Sequence, residues 1–332
     1  MRLFVERLAL SVAGLLFLVA APLAVEAEPT QKSFSIGCLM AVTAEAVAPY
    51  RRGLEEGLRD LGYVEGRNIV IHRRYAEGKP ERLPDLAAEL VRLKVDVIVA
   101  TTNPAISAVR RATASIPIVM VIAADPVGTG FITSLGRPGG NITGVTLDTG
   151  LELVGRRLEL LKEIAPKVSR VAVLRNPSDE GAAQTWNAAE DAGRQLGITV
   201  RSVEVRTLDD FDGAFGIMVR ARVDGVLVGA GPLGFTRRRH VAELAARWRL
   251  PAVYPFRESV DEGGLMSYGP SLIDLWRRSA KHVDRILRGS KPADLPVEQP
   301  TRFELVINMR TAKALGITIP PSVLLRADQI ID

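Results

Sequence analysis

The chain has 332 residues, with 43 lysines and arginines against 38 aspartates and glutamates and a formal net charge of +5. Its basic residues are dispersed over predicted helix faces, and only 5% of its residues are aromatic. A nucleic-acid surface needs clustered positive charge and rings on which bases stack, so the composition argues against a nucleic-acid partner. The single cysteine, Cys38, cannot form a disulfide within the chain, and the length suffices for the cores of two domains.

Residues 1–27 are predicted to be an export signal. Arg2 and Arg7 flank the start of a short apolar run, and the small residues of "VEA" end at Ala27, where a signal peptidase would cut. The alternative is a membrane anchor, but the apolar run is marginal for a span and no basic cluster follows it. We therefore expect a periplasmic protein with no membrane span after cleavage near Ala27.

From residue 34 onward, the sequence alternates between apolar strands and amphipathic helices. The strands are nearly continuous runs of valine and isoleucine, which is typical of a parallel sheet covered by helices on both faces. A stretch rich in glycine and proline, 125–148, then interrupts the alternation. The predicted strands are 34–41, 68–77, 95–102 and 116–123, and the predicted helices between them are 45–62, 80–94 and 104–113.

A second α/β unit begins near residue 148 and repeats the strand-to-helix order of the first. Its predicted strands are 170–176, 198–205, 224–230, 251–256 and 263–269. A long helix, 270–289, then precedes an extended segment and a last helix. Two such units in series predict a protein of two α/β domains, and the tail is long enough to cross back to the first unit and return.

The motif "GAGPLG", residues 229–234, lies between a predicted strand and a predicted helix, as a dinucleotide-binding fingerprint does, and Glu258 lies at a suitable distance for a ribose. The motif follows the third strand of the second unit, however, whereas such a fingerprint opens the first strand–helix turn. Pro232 also removes an N–H donor that a phosphate loop would use. We therefore expect no cofactor, and an NAD-binding enzyme stays a remote alternative.

Several stretches resemble the ABC-transporter substrate-binding proteins of the tryptophan/tyrosine type. They include "IPIVMVIAADPVGTGFITSLGRPGGNITGVT", "RRLELLKEIAPKVSRVAVLRNP", "GGLMSYG" and "RILRGSKPADLPVEQPTRFELVINMRTAKALGITIP". The resemblance runs from about residue 33 to the C-terminus in the order of the family. It implies a type I periplasmic-binding-protein fold, in which two doubly wound parallel-sheet lobes are joined by three crossing strands and hold a small organic ligand in the cleft between them.

The resemblance also implies where the lobes and crossings lie. The first lobe would comprise 28–146 and 270–300, and the second lobe 147–269 and 301–332. The crossings are expected near 144–147, 266–269 and 301–308. The implied partners are the permease and ATPase of an ABC importer, which would recognise the closed, ligand-bound form. A membrane sensor kinase that recognises the same closed form is the alternative partner.

Candidate ligand-binding residues lie at the ends of the predicted strands. In open α/β sheets, ligands bind beyond the carboxyl ends of the strands. Reading those ends, and adding one aromatic residue on a crossing strand, gives Thr43, Thr101, Thr102, Asn103, Asp125, Pro126, Asn176, Ser178, Gly231, Pro232, Phe256 and Tyr268. The sequence has no pattern of a nucleophile–base pair or of metal ligands, so we expect a binding protein, not an enzyme, and no metal site.

The chemistry of these residues suits a small zwitterion or carboxylate, such as an amino acid. Residues 101–103 precede a predicted helix, whose first N–H groups favour a carboxylate, and Asp125 would pair with an ammonium group. Phe256 and Tyr268 would clamp an apolar or aromatic side chain. Each assignment has a structural alternative, namely a helix N-cap for 101–103, a turn for Asp125, an ordinary loop for 176–178 and lobe core for the two rings.

Overall fold

The computed structural model of the protein describes residues 33–147, 152–179 and 182–332. The predicted export signal and its cleavage near Ala27 lie outside the described residues. Among the helices of the described ranges, none is long and apolar enough to cross a membrane.

The first sheet consists of five parallel strands covered by helices on both faces. Its central strand is buried along its whole length, with Val97 and Val99 in one hydrophobic core and Ile98 and Ala100 in another. This alternation explains the continuous apolar runs of the sequence, because side chains on both faces are buried. The strands are β1 (Phe34–Met40), β2 (Ile69–Tyr75), β3 (Val97–Thr101), β4 (Ile118–Ala123) and β5 (Ile142–Thr146), and the helices are α1 (Ala44–Asp60), α2 (Leu83–Arg92) and α3 (Thr102–Ala112).

The second sheet has seven strands, of which one pair is antiparallel. Its strands are β6 (Arg170–Arg175), β7 (Thr199–Glu204), β8 (Gly225–Val228), β9 (Ala252–Tyr254), β10 (Met266–Pro270), β11 (Phe303–Asn308) and β12 (Gln329–Ile331). The helices that follow α3 are α4 (Glu152–Ile164), α5 (Ala182–Leu196), α6 (Phe211–Arg220), α7 (Pro232–Thr236), α8 (Arg238–Arg247), α9 (Arg257–Asp261), α10 (Leu272–Leu287), α11 (Met309–Leu315) and α12 (Pro321–Leu324). We call each sheet with its covering helices a lobe.

The strand order of both sheets is that of doubly wound lobes. It is β2-β1-β3-β4-β5 in the first lobe and β12-β11-β10-β9-β8-β6-β7 in the second. The antiparallel pair is β10 and β11. The boundaries that differ from the prediction include the start of α3, at Thr102 directly after its strand, and the start of α7, at Pro232 inside the glycine motif. Proline at the first position of a helix is favoured because the missing N–H would have no helical partner there.

The chain passes between the two lobes three times, at the predicted strands. It leaves the first sheet after β5, returns after β10 to form α10 on the first lobe, and enters the second sheet again at β11. On the way, 295–298 runs alongside β5. Thr143 Oγ1 donates to the carbonyl of Leu295 at 2.7 Å, and the N–H of Glu298 donates to the carbonyl of Gly144 at 2.9 Å. The predicted fold of two doubly wound lobes with three crossings is confirmed.

Helices α1 and α10 approach each other so closely that two glycines are needed at their contact. A Cβ atom on Gly53 would lie 2.8 Å from the carbonyl oxygen of Ile273, and one on Gly57 would lie 2.7 Å from that of Arg277. Both glycines are buried. Since real Cβ atoms do not approach backbone this closely, any side chain there would push the helices apart. The pair of glycines therefore fixes how α10 packs on the first lobe.

We expect Gly57→Ala to lower the free energy of unfolding by about 1–3 kcal/mol, because the added methyl group would collide with rigid backbone. Urea unfolding followed by circular dichroism would measure the change. The matched control is Gly213→Ala in α6, where a Cβ atom has open space around it. That change should be neutral or raise stability by up to about 1 kcal/mol. Equal stability of the Gly57→Ala variant and the unchanged protein would contradict the close helix contact.

Candidate ligand site in the cleft

The carboxyl ends of parallel strands from both lobes meet at one cavity, which we call the main cavity. It opens to solvent, and the empty space inside it and at its mouth is about 740 Å³. The first lobe contributes residues at the ends of β3, β4 and β5, and the second lobe contributes residues at the ends of β6, β7 and β8. They include Thr102, Asn103, Pro104, Ile122, Ala124, Leu147, Arg175, Asn176, Asp179, Val205 and 228–234.

Among the smaller cavities that share residues with the main cavity, two contain aromatic residues. One, the side cavity, includes Asp125, Arg157 and Phe256 and shares Ala124 and Leu147 with the main cavity. The other is lined by four aromatic residues, Tyr50, Phe235, Phe256 and Trp276, and shares Thr102, Ile122, Ala230 and Pro232 with the main cavity. We call it the aromatic cavity. A ligand in the main cavity therefore has an apolar recess directly beside it.

The start of α3 gives the first-lobe wall of the main cavity its polar character. Thr101 at the N-cap makes no side-chain capping bond, so it does not occupy the N–H groups of the first turn. Thr102 Oγ1 is buried without a hydrogen-bond partner among the described residues. The Asn103 side chain exchanges two hydrogen bonds of 2.9 Å with the backbone of Ala124 and so joins the ends of β3 and β4. This wall can accept a carboxylate through helix N–H groups and a hydroxyl.

Three bulky residues at this edge of the first sheet have left-handed backbone angles. They are Thr102 at φ 68°, Ile122 at φ 61° and Asp125 at φ 42°. Such angles cost roughly 1–3 kcal/mol each for residues other than glycine, and β-branched side chains are the least tolerant of them. All three residues line the cleft cavities. Backbone strain concentrated at one edge is typical of a binding site, where the geometry serves a ligand and not the fold.

The second-lobe wall holds a partly buried carboxylate, Asp179, which is not among the residues predicted from the sequence. Asn176 Nδ2 donates to its Oδ1 at 3.0 Å, and Asn176 Oδ1 accepts from the N–H of Ser178 at 3.0 Å. Burial raises the pKa of Asp179 to about 6, and the hydrogen bond from Asn176 opposes this rise only in part. The sequence signal for Asp179 is its position, since it is an acidic residue directly after the loop 176–178 at the end of a buried strand.

The aromatic cavity is walled by both lobes. Phe235 of α7 packs edge-on against Tyr50 of α1 at 5.7 Å between ring centroids and against Phe256 at 5.9 Å. Trp276 is 1% exposed, and its Nε1 has no hydrogen-bond partner among the described residues. Rings in these edge-on arrangements provide flat, rigid surfaces for another ring. The lobes are thus in contact around an apolar recess.

Tyr50 and Glu258 add a polar contact between the lobes beside the aromatic cavity. The Tyr50 hydroxyl lies near the Glu258 carboxyl, and burial raises the pKa of that carboxyl. Oε2 of Glu258 is buried without a partner among the described residues. Glu258 therefore lies inside the contact between the lobes, not at the position that a ribose-binding acid of the glycine motif would take, and α7 after Gly231 has only five residues.

Of the twelve predicted ligand-binding residues, the structure brings eight to the cleft cavities. These are Thr101, Thr102, Asn103, Asp125, Asn176, Gly231, Pro232 and Phe256. The other four lie elsewhere in the described structure. Thr43 caps α1 by accepting from the N–H of Ala46 at 3.3 Å, and the carbonyl of Pro126 accepts two backbone bonds in its turn. Ser178 is exposed, and Tyr268 packs against Phe303 beside α4 and α5.

These features define a class of protein. Two doubly wound lobes joined by three crossings, with a cavity between the carboxyl ends of their strands, form a type I periplasmic-binding-protein fold. Residues 35–331 match the sequence model of the family described as ABC transporter substrate binding protein. Because this match spans most of the chain, the protein belongs to that family, which is a family of solute-binding proteins and not of enzymes.

Individual relatives are similar along most of their length. The Tyrosine-binding protein of Clostridioides difficile (strain R20291) is 27% identical over 288 residues, covering 87% of this chain and 82% of the relative. A crystal structure of a conserved domain protein from Vibrio cholerae has a TM-score of 0.85 at 29% identity, over 90% of this chain and 100% of that chain. The ABC domain from Streptococcus pneumoniae in complex with L-Trp has a TM-score of 0.84 at 28% identity, with the same coverage.

The partly buried carboxyl of Asp179 should make stability depend on pH. Its pKa rises from 3.8 to about 6 on folding, so the folded protein binds more protons than the unfolded chain between these values. Stability should therefore fall as pH rises from about 4 to 6 and stay low above that range. Asp179→Asn should remove this fall and make the ligand-free protein more stable at pH 7 by up to about 3 kcal/mol. Urea unfolding at pH 4, 5, 6 and 7 measures both effects.

The control for this experiment is Asp209→Asn, because the Asp209 side chain is 95% exposed on the same lobe. Its pH profile should match that of the unchanged protein. An Asp179→Asn variant that keeps the original pH profile would show that the carboxyl of Asp179 is solvated as it is in the unfolded chain.

Proposed function

We propose that this protein is the extracytoplasmic component of an ABC importer that captures an amino acid with an aromatic side chain. The observation that carries the proposal is the aromatic cavity beside the start of α3. A ligand with its carboxylate at the first turn of α3 would direct its side chain toward the rings of Tyr50, Phe235 and Phe256. The names of two relatives, one a Tyrosine-binding protein and one a complex with L-Trp, support the same ligand class.

Capture by this protein would use closure of the two lobes and no covalent chemistry. The cavity walls come from both lobes, so a bound ligand would complete contacts that neither lobe makes alone, and its binding would favour the closed arrangement. A permease that recognises only the closed arrangement would then distinguish loaded from empty protein. The predicted export signal supports a location outside the cytoplasm, where an importer collects its solute.

A ligand screen tests the proposal directly. L-tryptophan or L-tyrosine should raise the melting temperature of the mature protein, from about residue 28, because a ligand that binds only the folded state stabilises it by mass action. Isothermal titration calorimetry would then give the dissociation constant. A rise with NAD(H) and none with any amino acid would overturn the proposal and favour the dinucleotide alternative.

The aromatic cavity should determine the preference for a ring. We expect Phe256→Leu to weaken the binding of L-tryptophan by about tenfold while changing the binding of L-leucine little, because the ring contact is lost and the apolar wall remains. The two affinities would be measured by calorimetry on each variant. Trp248→Leu, at a ring that is 41% exposed outside the cleft, is the matched control and should change neither affinity. A uniform loss for both amino acids in Phe256→Leu would mean that the ring supports the fold and not the preference.

A further inference from the structure

Two charged side chains, Arg175 and Asp179, line the main cavity among its described residues. Arg175 already has partners outside the cavity. Its Nε donates to Ser202 Oγ at 2.9 Å, its Nη2 lies 3.6 Å from Glu204 Oε1, and its guanidinium group lies over the ring of Trp186. The cation is therefore directed toward β7 and α5 and is not available to neutralise Asp179.

Asp179 has a neutral partner and no cationic one among the described residues. Asn176 supplies its side-chain hydrogen bond, and burial is the main influence on its carboxyl. On its other side, Oδ2 lies so close to Gly231 that a Cβ atom at that position would collide with it. This carboxylate is held against a glycine, is partly desolvated and has no counter-ion among the described residues. Such a group lowers stability unless a positive charge pairs with it. Nothing in the fold requires it, since a neutral amide would accept the same hydrogen bond from Asn176.

Asp179 faces the start of α3 across the cleft. Both Asp179 and Pro104, which lies in the first turn of α3, line the main cavity and a small cavity beside it. One wall of the main cavity thus presents the N-terminal end of an eleven-residue helix, which favours negative charge. The opposite wall presents a carboxylate. A zwitterion bound between them would satisfy both walls, with its carboxylate at α3.

We propose that Asp179 binds the ammonium group of the ligand and makes the site selective for amine-bearing ligands, an inference that rests on the proposed capture of an amino acid. The ammonium group supplies the missing counter-ion. Its positive charge favours the ionised form of the carboxyl, which burial disfavours. The ion pair also forms between the ligand and the second lobe while the carboxylate of the ligand binds the first, so one ligand joins the two lobes.

Asp125, the residue that the sequence favours for this role, is engaged in its own turn. Its Oδ1 accepts from the N–H of Gly128 at 2.9 Å, and its carbonyl accepts from Thr129 Oγ1 at 2.9 Å. It lines the side cavity and not the main one. A carboxylate that shapes a turn has less need of a ligand than one that is partly buried and has no cationic partner among the described residues.

The test compares four probes of three charge types. L-tryptophan and L-tyrosine are zwitterions, tryptamine lacks the carboxylate, and indole-3-propionate lacks the amine. Dissociation constants are measured by calorimetry at pH 7.5 for the unchanged protein and for Asp179→Asn, Asp125→Asn and the exposed control Asp209→Asn. The unchanged protein should bind L-tryptophan at least about 30-fold more tightly than indole-3-propionate, because loss of one partner of a buried charge pair has an effect of this size.

Asp179→Asn should reduce this preference to within about threefold, and Asp209→Asn should leave it unchanged. A preference that survives in Asp179→Asn, or one that disappears in Asp125→Asn and not in Asp179→Asn, would overturn the inference while the capture of an amino acid stands. Binding of tryptamine without binding of either amino acid, with loss in Asp179→Asn, would support the inference and overturn the proposed function. Binding of no amine-bearing probe would overturn both.

Discussion

The close contact between α1 and α10 is the constraint on which the arrangement of the two lobes depends. Helix α10 follows β10 of the second sheet in the chain but packs on the first lobe, where Gly53 and Gly57 leave room for its backbone. The contact is reinforced at its surface, where Arg277 Nη2 lies 2.6 Å from Asp60 Oδ2. Because α10 is anchored there, the segments before and after it must cross between the lobes, and these crossings set where the strand ends of the two sheets meet.

The cleft that results concentrates features that lower stability. The cores bury apolar strands with partners on both faces, whereas the cleft collects left-handed backbone at Thr102 and Ile122, an unpartnered hydroxyl on Thr102 and a desolvated carboxylate on Asp179. Each of these features would be removed by a simple substitution if only stability mattered. Their concentration at the meeting point of six strand ends is the physical reason to locate the binding site there, independently of any relative.

Most of the fold follows from the sequence because burial on both faces leaves a direct pattern. The valine and isoleucine runs predict strands such as β3, and the break at 125–148 predicts the change of lobe. The contact of α10 with α1 does not follow, since a glycine in a helix has the same appearance whether it faces solvent, as Gly213 does, or a second backbone, as Gly57 does. The strand-end rule brings eight of twelve predicted residues to the cleft cavities, but Thr43 satisfies a helix cap instead.

Asp125 and Asp179 show why charge alone does not identify a ligand residue. Both are aspartates at strand ends, and both follow a pattern that is typical of a turn. The difference arises from the neighbouring glycines. The N–H of Gly128 donates to Asp125 at 2.9 Å, whereas Gly231 only leaves room for the Asp179 carboxyl because it has no side chain. A carboxylate that is satisfied locally contributes to the shape of the cleft. A carboxylate that tertiary structure brings to the cleft without a cationic partner among the described residues is the one whose ionisation a ligand can change.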